Sequence, residues 1–377
     1  MALKKFYSMV IGLIIGLVLT GCASQQPILI GFAGELTGPR GELGVAARDG
    51  ALLAVEMVND NGGVLGRPLK LLVKDDQGNP DTARRVDTEL VDEGVVAIIG
   101  HITSEQTAAA FDQMNQARVV LFSPASASTL FSQQEDYFFR NISDTNQTGT
   151  ALATYIYQRN VHALAVIYDT DNRTFTETFW QAVQTKFEAL GGHTDKVFTF
   201  SHTQTNLSAL ISQVKASQPK EAILFVASAV DTALMAQYIR QQHLTTPLFS
   251  TSWAQTNELL TKGGRAIEGL EILTNYDPHN SYPRFQPFID HFQARYGHQP
   301  DFLSAYAYEA MLLLAYGLQQ TSGQVAGLPQ ALTTVHNFAG VQGPISIDKY
   351  GDVQRDVYIA QVKNGQFVII KTIPAAD

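Results

Sequence analysis

The sequence predicts an α/β fold of parallel, doubly wound sheets in two successive units, and three observations carry that expectation. Short apolar runs alternate with longer amphipathic ones through the first 250 residues, the pattern of repeated strand–helix–strand crossovers. The alternation restarts near residue 147, as a chain of 377 residues would at roughly 150 residues per domain. Between residues 95 and 128, two consecutive strands each end in a hydroxyl-rich loop. In open α/β sheets that carboxyl edge of the strands is where ligands bind.

The first strand reads Ile28-Leu29-Ile30-Gly31-Phe32 and runs into a turn-forming loop over 35–41. A helix over about 45–59 carries Ala51, Val55 and Val58 near helical spacing and stops at Asp60-Asn61-Gly62-Gly63. A strand over 68–73, a loop over 75–80 and a helix over 82–93 follow. The next strand, 95–99, turns sharply at Gly100-His101 into Ile102-Thr103-Ser104 and a helix over 105–116. Residues 119–122 form the fourth strand, and Ser123-Pro124-Ala125-Ser126-Ala127-Ser128 its loop.

The second unit repeats the alternation. Helices are expected over 147–158, 175–190, 207–217 and 232–242, and strands over 163–168, 196–200, 222–226 and 247–250. A loop covers 169–173, and Gly191-Gly192 is a helix C-cap signal. The last third differs. It offers a strand over 269–274, helices over 282–296 and 304–320, and strands over 344–347, 356–362 and 367–373. Such a tail reads as a chain returning to both units rather than as a third domain.

The N-terminus stands apart. Lys4 and Lys5 precede an apolar block over 9–19 and then Thr20-Gly21-Cys22, the layout of a secretory signal peptide over 1–21. Leu19-Thr20-Gly21-Cys22 resembles the bacterial lipobox, which implies lipidation of Cys22 and a lipidated tether over 22–27. Cys22 is the sole cysteine, so the chain forms no internal disulfide. The formal charge of −9 and a pI near 5.5 argue against nucleic acid, which wants a basic footprint. Removing residues 1–21 takes away two lysines and no acid, which leaves −11. No later apolar run reaches the roughly 18 residues of a spanning helix, so the expected membrane contact is the lipid anchor alone.

Several strings, in their order and spacing, resemble the type I periplasmic substrate-binding proteins, in particular the leucine/isoleucine/valine-binding branch. They are Gly38-Pro39, Ile99-Gly100-His101 before Ser104, Ser123-Pro124, Arg140, Arg295-Tyr296-Gly297, Ala305-Tyr306-Ala307-Tyr308-Glu309-Ala310, and Gly343-Pro344 near Gly351-Asp352. The resemblance covers essentially the whole mature chain. It implies two Rossmann-like lobes joined by three crossovers, the Venus-flytrap arrangement. Lobe 1 would comprise 28–145 and 276–352, and lobe 2 would comprise 146–275 and 353–377. The crossovers would fall near 144–147, 275–277 and 351–355. It further implies an exported, monomeric protein in the cell envelope, at the periplasm or the outer face of the membrane. Such a protein passes a small-molecule ligand to an ABC permease and needs no cofactor.

The candidate site follows from both readings. Ser104 opens a helix, where backbone N–H groups and the dipole receive an anion; the family serine at this place helps bind a ligand carboxylate. The alternative is that Ser104 is only an N-cap. Thr103, Ala125, Ser126 and Ala127 complete this jaw, with Ser126 expected to contribute backbone groups. On the other jaw stand Arg173, Phe175, Ser228, Ser252 and Trp253, with Tyr276 at a crossover. This chain departs from the family there. Arg173-Thr174 replaces a Tyr-Gly pair, and Ser252-Trp253 stands where a glutamate often receives the ligand ammonium. A buried ammonium without a partner is costly. Arg173 either grips a second carboxylate through its planar fork or is a solvated loop residue. Trp253 either stacks on ligand or packs beneath the loop, and Tyr276 either lines the cleft or packs.

Enzyme motifs are missing. Ser212 and Lys215 match S-x-x-K without its partner motifs, and there is no G-x-S-x-G, H-E-x-x-H or P-loop. The nine histidines show no metal-ligand spacing. The expected function is binding of an amino acid, an amide or a small carboxylate for import. The alternative is a lipoprotein of the same fold that acts as a regulatory or protein-interaction module in the cell envelope.

Overall fold

Parallel pairing of short apolar strands organises both halves of the chain. The structure, a computed structural model, describes residues 26–375 except Thr203 and Lys220. The expected signal peptide and Cys22 lie outside the described residues. The first sheet holds β1 (Ile28–Gly34), β2 (Leu69–Asp75), β3 (Ala97–Ile99), β4 (Val120–Ser123) and β5 (Phe138–Arg140) in the order β2-β1-β3-β4-β5, all parallel. Helices α1 (Gly41–Asp60), α2 (Pro80–Asp92) and α3 (Ser104–Ala117) connect its strands.

The second sheet receives the chain through α4 (Thr145–Gln158). Its strands β6 (Ala163–Asp169), β7 (His193–Phe200), β8 (Ala222–Val226), β9 (Leu248–Thr251) and β10 (Glu271–Thr274) are parallel. They alternate with α5 (Arg173–Ala189), α6 (Leu207–Ala216), α7 (Ala229–Gln241) and α8 (Asn257–Gly263). The chain then returns to the first unit through α9 (Phe285–Tyr296), α10 (Phe302–Gln320), α11 (Leu328–Leu332) and a hairpin of β11 (Phe338–Ala339) and β12 (Pro344–Ile345). Finally β13 (Val357–Lys363) and β14 (Gln366–Ile373) add antiparallel strands to the second sheet, giving β14-β13-β10-β9-β8-β6-β7.

Both sheets are covered on both faces, so their strands are near-continuous apolar runs. In β6, Leu164 and Val166 point into the core shared with α4 and α5, whereas Ala165 and Ile167 point into the core under α6 and α7. In β3, Ile99 faces the core of α1 and α10, and Ile98 faces Val86 and Leu90 of α2. Helix starts are set by polar caps. Asn79 accepts from the Asp81 and Thr82 N–H groups with Pro80 following, Asp144 caps α4 through Gln147, and Asp301 caps α10 through Ser304.

Four elements escape the sequence pattern: β5, α8, α11 and β11. They span three, seven, five and two residues, too few to establish a period. The strand expected over 344–347 shrinks to two residues because its only pairing partner, β11, is that short. Residues 95 and 96, expected in a strand, precede β3; Val96 N–H still bonds the Leu29 carbonyl at 2.9 Å.

The chain crosses between the sheets three times: after β5, after β10 and before β13. The crossings are tied into one knot. Ser143 Oγ, on the first, accepts from Asn275 Nδ2 on the second at 3.3 Å and from the Arg355 backbone N–H on the third at 3.2 Å. Arg355 Nη1 donates to Glu309 Oε2 of α10 at 2.6 Å and to the Asn141 carbonyl at 3.2 Å. Tyr306, also on α10, donates its hydroxyl to the Asn275 carbonyl at 2.6 Å. Burial opposes the charge on Arg355, but Glu309 beside it holds the guanidinium above its ordinary range. Both side chains are buried. Glu309→Gln keeps the volume and leaves Arg355 charged and uncompensated. We expect it to lower the unfolding free energy by about 3–5 kcal/mol, read as a fall in the urea midpoint with the slope unchanged.

Candidate functional site

The site begins with a turn only glycine can make. At Gly100, with φ +151°, an added Cβ would stand 2.2 Å from the Ala33 carbonyl oxygen. His101 follows, fully buried between Asp76 (Nδ1 to Oδ2, 2.7 Å) and Asp87 (Nε2 to Oδ2, 3.2 Å). Burial alone would lower its pKa, yet the two carboxylates raise it to about 10. The imidazolium thus rivets the β3–α3 loop to α2 and the β2–α2 loop. The His101 carbonyl accepts from Ser123 Oγ at 2.8 Å and from Ser126 Oγ at 3.3 Å, which joins the two hydroxyl-rich loops. Arg140, fully buried, braces the second loop through the Ser128 carbonyl at 2.9 Å and Asp352 Oδ1 at 2.8 Å.

Where these loops meet the second sheet's loops lies a small cavity of about 30 Å³. Seven of the expected residues line it: Thr103, Ser104, Ala125 and Ala127 from one lobe, and Phe175, Ser252 and Trp253 from the other. Leu43, Ile102, Ile142, Asn172, Phe302 and Leu303 complete the wall. Phe175 and Trp253 meet edge to face, with centroids 5.8 Å apart. The Thr103 hydroxyl is buried with no hydrogen-bond partner. Among the described residues, Ser104 Oγ accepts only a long 3.4 Å bond, from the Ser128 N–H.

Four expected residues stand elsewhere. Ser126 is spent on the scaffold: its N–H bonds Ser123 Oγ in its own loop at 2.9 Å and its hydroxyl meets Thr107 Oγ1 of α3 at 2.6 Å. Arg173 is not a loop residue. Helix α5 starts there, and its side chain is 58% exposed and pairs with Glu177 at 3.4 Å, outside the cavity. Ser228 caps α7 through Asp231 and lines a separate polar cavity of about 400 Å³ with Arg40 and Asp171. Tyr276 is buried against Phe285 and borders a groove of about 610 Å³ with Asp301 and Gln255.

Sequence reading missed the contact that joins the jaws. Helices α3 and α5 have no side-chain cap from their own N-cap residues, Thr103 and Asn172. Each is capped from across the cleft instead. Asn172 Oδ1 accepts from the Glu105 backbone N–H at 3.3 Å, and Glu105 Oε2 accepts from the Thr174 N–H at 3.0 Å and the Thr174 hydroxyl at 2.6 Å. A carboxylate at a helix N-terminus is favoured by the dipole. The only sequence signal was an asparagine and a glutamate at two helix starts, which normally implies local capping.

Two predictions follow from this geometry. His101 carries a folded pKa above its ordinary 6.5, so the stability it contributes is complete below about pH 6.5 and disappears as pH rises towards 10. The difference in melting temperature between the unmodified chain and His101→Gln should therefore be largest near pH 6 and shrink by pH 10. Glu105→Ala removes the acceptor at the α5 N-terminus. It should increase the radius of gyration of ligand-free protein measured by small-angle X-ray scattering, while α3 stays helical by circular dichroism.

Comparison with known proteins agrees with this architecture. A family model described as periplasmic binding protein matches residues 27–366. The Leu/Ile/Val-binding protein of Escherichia coli is 26% identical over 347 residues, covering 90% of this chain and 92% of that one. The leucine-, isoleucine-, valine-, threonine- and alanine-binding protein of Pseudomonas aeruginosa is 25% identical over 333 residues, covering 88% of each. The crystal structure of a leucine-binding protein from Thermotoga maritima superposes with a TM-score of 0.85 at 25% identity, over 92% of this chain and 99% of that one. With two sheets joined by three crossings, a cavity between them and a family match over nearly the whole described chain, this protein belongs to the periplasmic binding protein family, whose members bind solutes rather than transform them.

Proposed function

We propose that this chain is the exported, lipid-anchored substrate-binding component of an ABC importer. It would close over an amino acid of the branched-chain type or a related amide or small carboxylate. The observation that carries this reading is the convergence of two helix N-termini, one from each lobe, beside a buried cavity that holds an unpartnered hydroxyl, Thr103 Oγ1. The names of the relatives support the solute class. In this reading lobe 1 is 28–145 with 276–352 and lobe 2 is 146–275 with 353–377. They work as a monomeric clamp tethered through Cys22 in the periplasm or at the outer face of the membrane. The cavity has room for little more than water, so solute enters when the lobes part. Ligand contacts on both jaws exist only after closure, so ligand shifts the population towards the closed state recognised by the permease.

Ser104 supplies a hydroxyl and, with Thr103, the start of α3 as the anion receiver. A chain beginning at Ala23 should release a small molecule on denaturation, identifiable by mass spectrometry. That molecule should raise the melting temperature of the refolded protein. Ser104→Ala should weaken its affinity about 10-fold by isothermal titration calorimetry. No stabilisation by any amino acid, amide or organic acid, together with capture of a protein partner, would overturn the transport reading.

A further inference from the structure

The polar groups of the cavity favour one ligand charge over another. We infer that the ligand is a carboxylate with a branched or aromatic body and no ammonium group. This inference rests on the function proposed above. No lining residue carries a carboxylate or a cation. An ammonium has three donors to satisfy and no acceptor capacity. Burying it without a counter-charge is costly.

The nearby acids are committed elsewhere. Glu105 holds the N-terminus of α5 through Thr174. Asp301 caps α10, with Oδ1 2.9 Å from the Ser304 N–H, and borders a different groove. Glu35 is tied to Arg40 at 2.9 Å, and Asp231 is held by His202 at 2.8 Å and Ser228 at 2.7 Å. What the cavity does offer is complementary to an anion. Thr103 gives the start of α3 no side-chain cap, and Asn172 takes only the Glu105 N–H, so the Ser104 end of the helix, on the cavity wall, keeps the positive end of the dipole for an anion. The Thr103 hydroxyl, 4% exposed and unpartnered, is a donor in the same place. Apart from Asn172 and Ser252, the rest of the wall is hydrocarbon and aromatic, with Leu43, Ile142, Phe302, Leu303 and the Phe175–Trp253 pair its largest members. A carboxylate head with a branched or ring-bearing tail satisfies both ends, and an α-ammonium satisfies neither.

The test uses pairs that differ only by the amino group: 4-methylpentanoate against L-leucine, and 3-phenylpropanoate against L-phenylalanine, titrated calorimetrically into the chain beginning at Ala23. The amino-free member of at least one pair should bind about 100-fold more tightly than its amino acid. Ser252→Glu, which adds a carboxylate to the wall, should narrow or reverse that ratio. An amino acid that binds as tightly as its amino-free partner, or more tightly, overturns this inference and leaves the import function standing. Tighter binding of 4-methylpentanamide than of 4-methylpentanoate overturns the choice of a carboxylate. If neither pair binds, a solute released from the protein decides: one that carries an ammonium or lacks a carboxylate overturns the inference alone, and an ammonium-free branched or aromatic carboxylate upholds it. If no solute binds at all, the proposed function fails with it.

Discussion

One serine hydroxyl and one buried ion pair hold the three crossings of this chain together. Ser143, Asn275 and Arg355 come from segments far apart in sequence, and each belongs to a different passage between the sheets. Glu309 brings α10 of the first lobe into the same knot through Arg355, and it also accepts from the Val341 N–H at 2.6 Å. A buried ion pair adds little net stability over a well-packed apolar alternative. What this one supplies is definition. With its two charges desolvated and paired with each other, the knot ties the three passages to α10 in one place, although the Asn141 and Asn275 side-chain oxygens stay buried without a partner among the described residues.

Away from the knot, the structure separates scaffold from grip. On the first lobe, His101 between Asp76 and Asp87 and the buried Arg140 use charge to make the two loops rigid. Most hydroxyls of those loops are consumed in the process, Ser123 and Ser126 above all. The few polar groups left over, Thr103 and Ser104, are the ones that face the cavity. Rigid support behind a small number of exposed donors is what a specific solute site requires.

The two lobes also hold each other directly. In the reciprocal capping of α3 and α5, Glu105 and Asn172 each satisfy the other helix's free N–H groups. The Glu105 bonds to Thr174 are charge-assisted, which makes them stronger than neutral ones, and under the proposed function they are exchanged for water when the cleft opens. The closed arrangement therefore has a modest bias of its own. A solute needs to add only the difference in contact energy between open and closed states.

Much of this was legible in the sequence. The doubly wound alternation and the glycine turn before His101 follow from strand and helix periods, and the nearness of the Thr103-Ser104 and Ala125-Ala127 loops from the rule that loops at the carboxyl edge converge, whereas Phe175, Ser252 and Trp253, which line the same cavity, were pointed to by the family resemblance. These are local signals, repeated often enough to survive short-range ambiguity. Three further matters were decided only by tertiary structure: that Ser126 is a strut, that Arg173 begins a helix and faces solvent, and that Ser228 and Tyr276 border other hollows. The same holds for Glu105, whose partner lies 69 residues away on the other lobe. A serine, arginine or glutamate at a helix start has the same local preferences whether its partner is its own helix, solvent, a ligand or the opposite jaw. Only the packing of one lobe against the other selects among them.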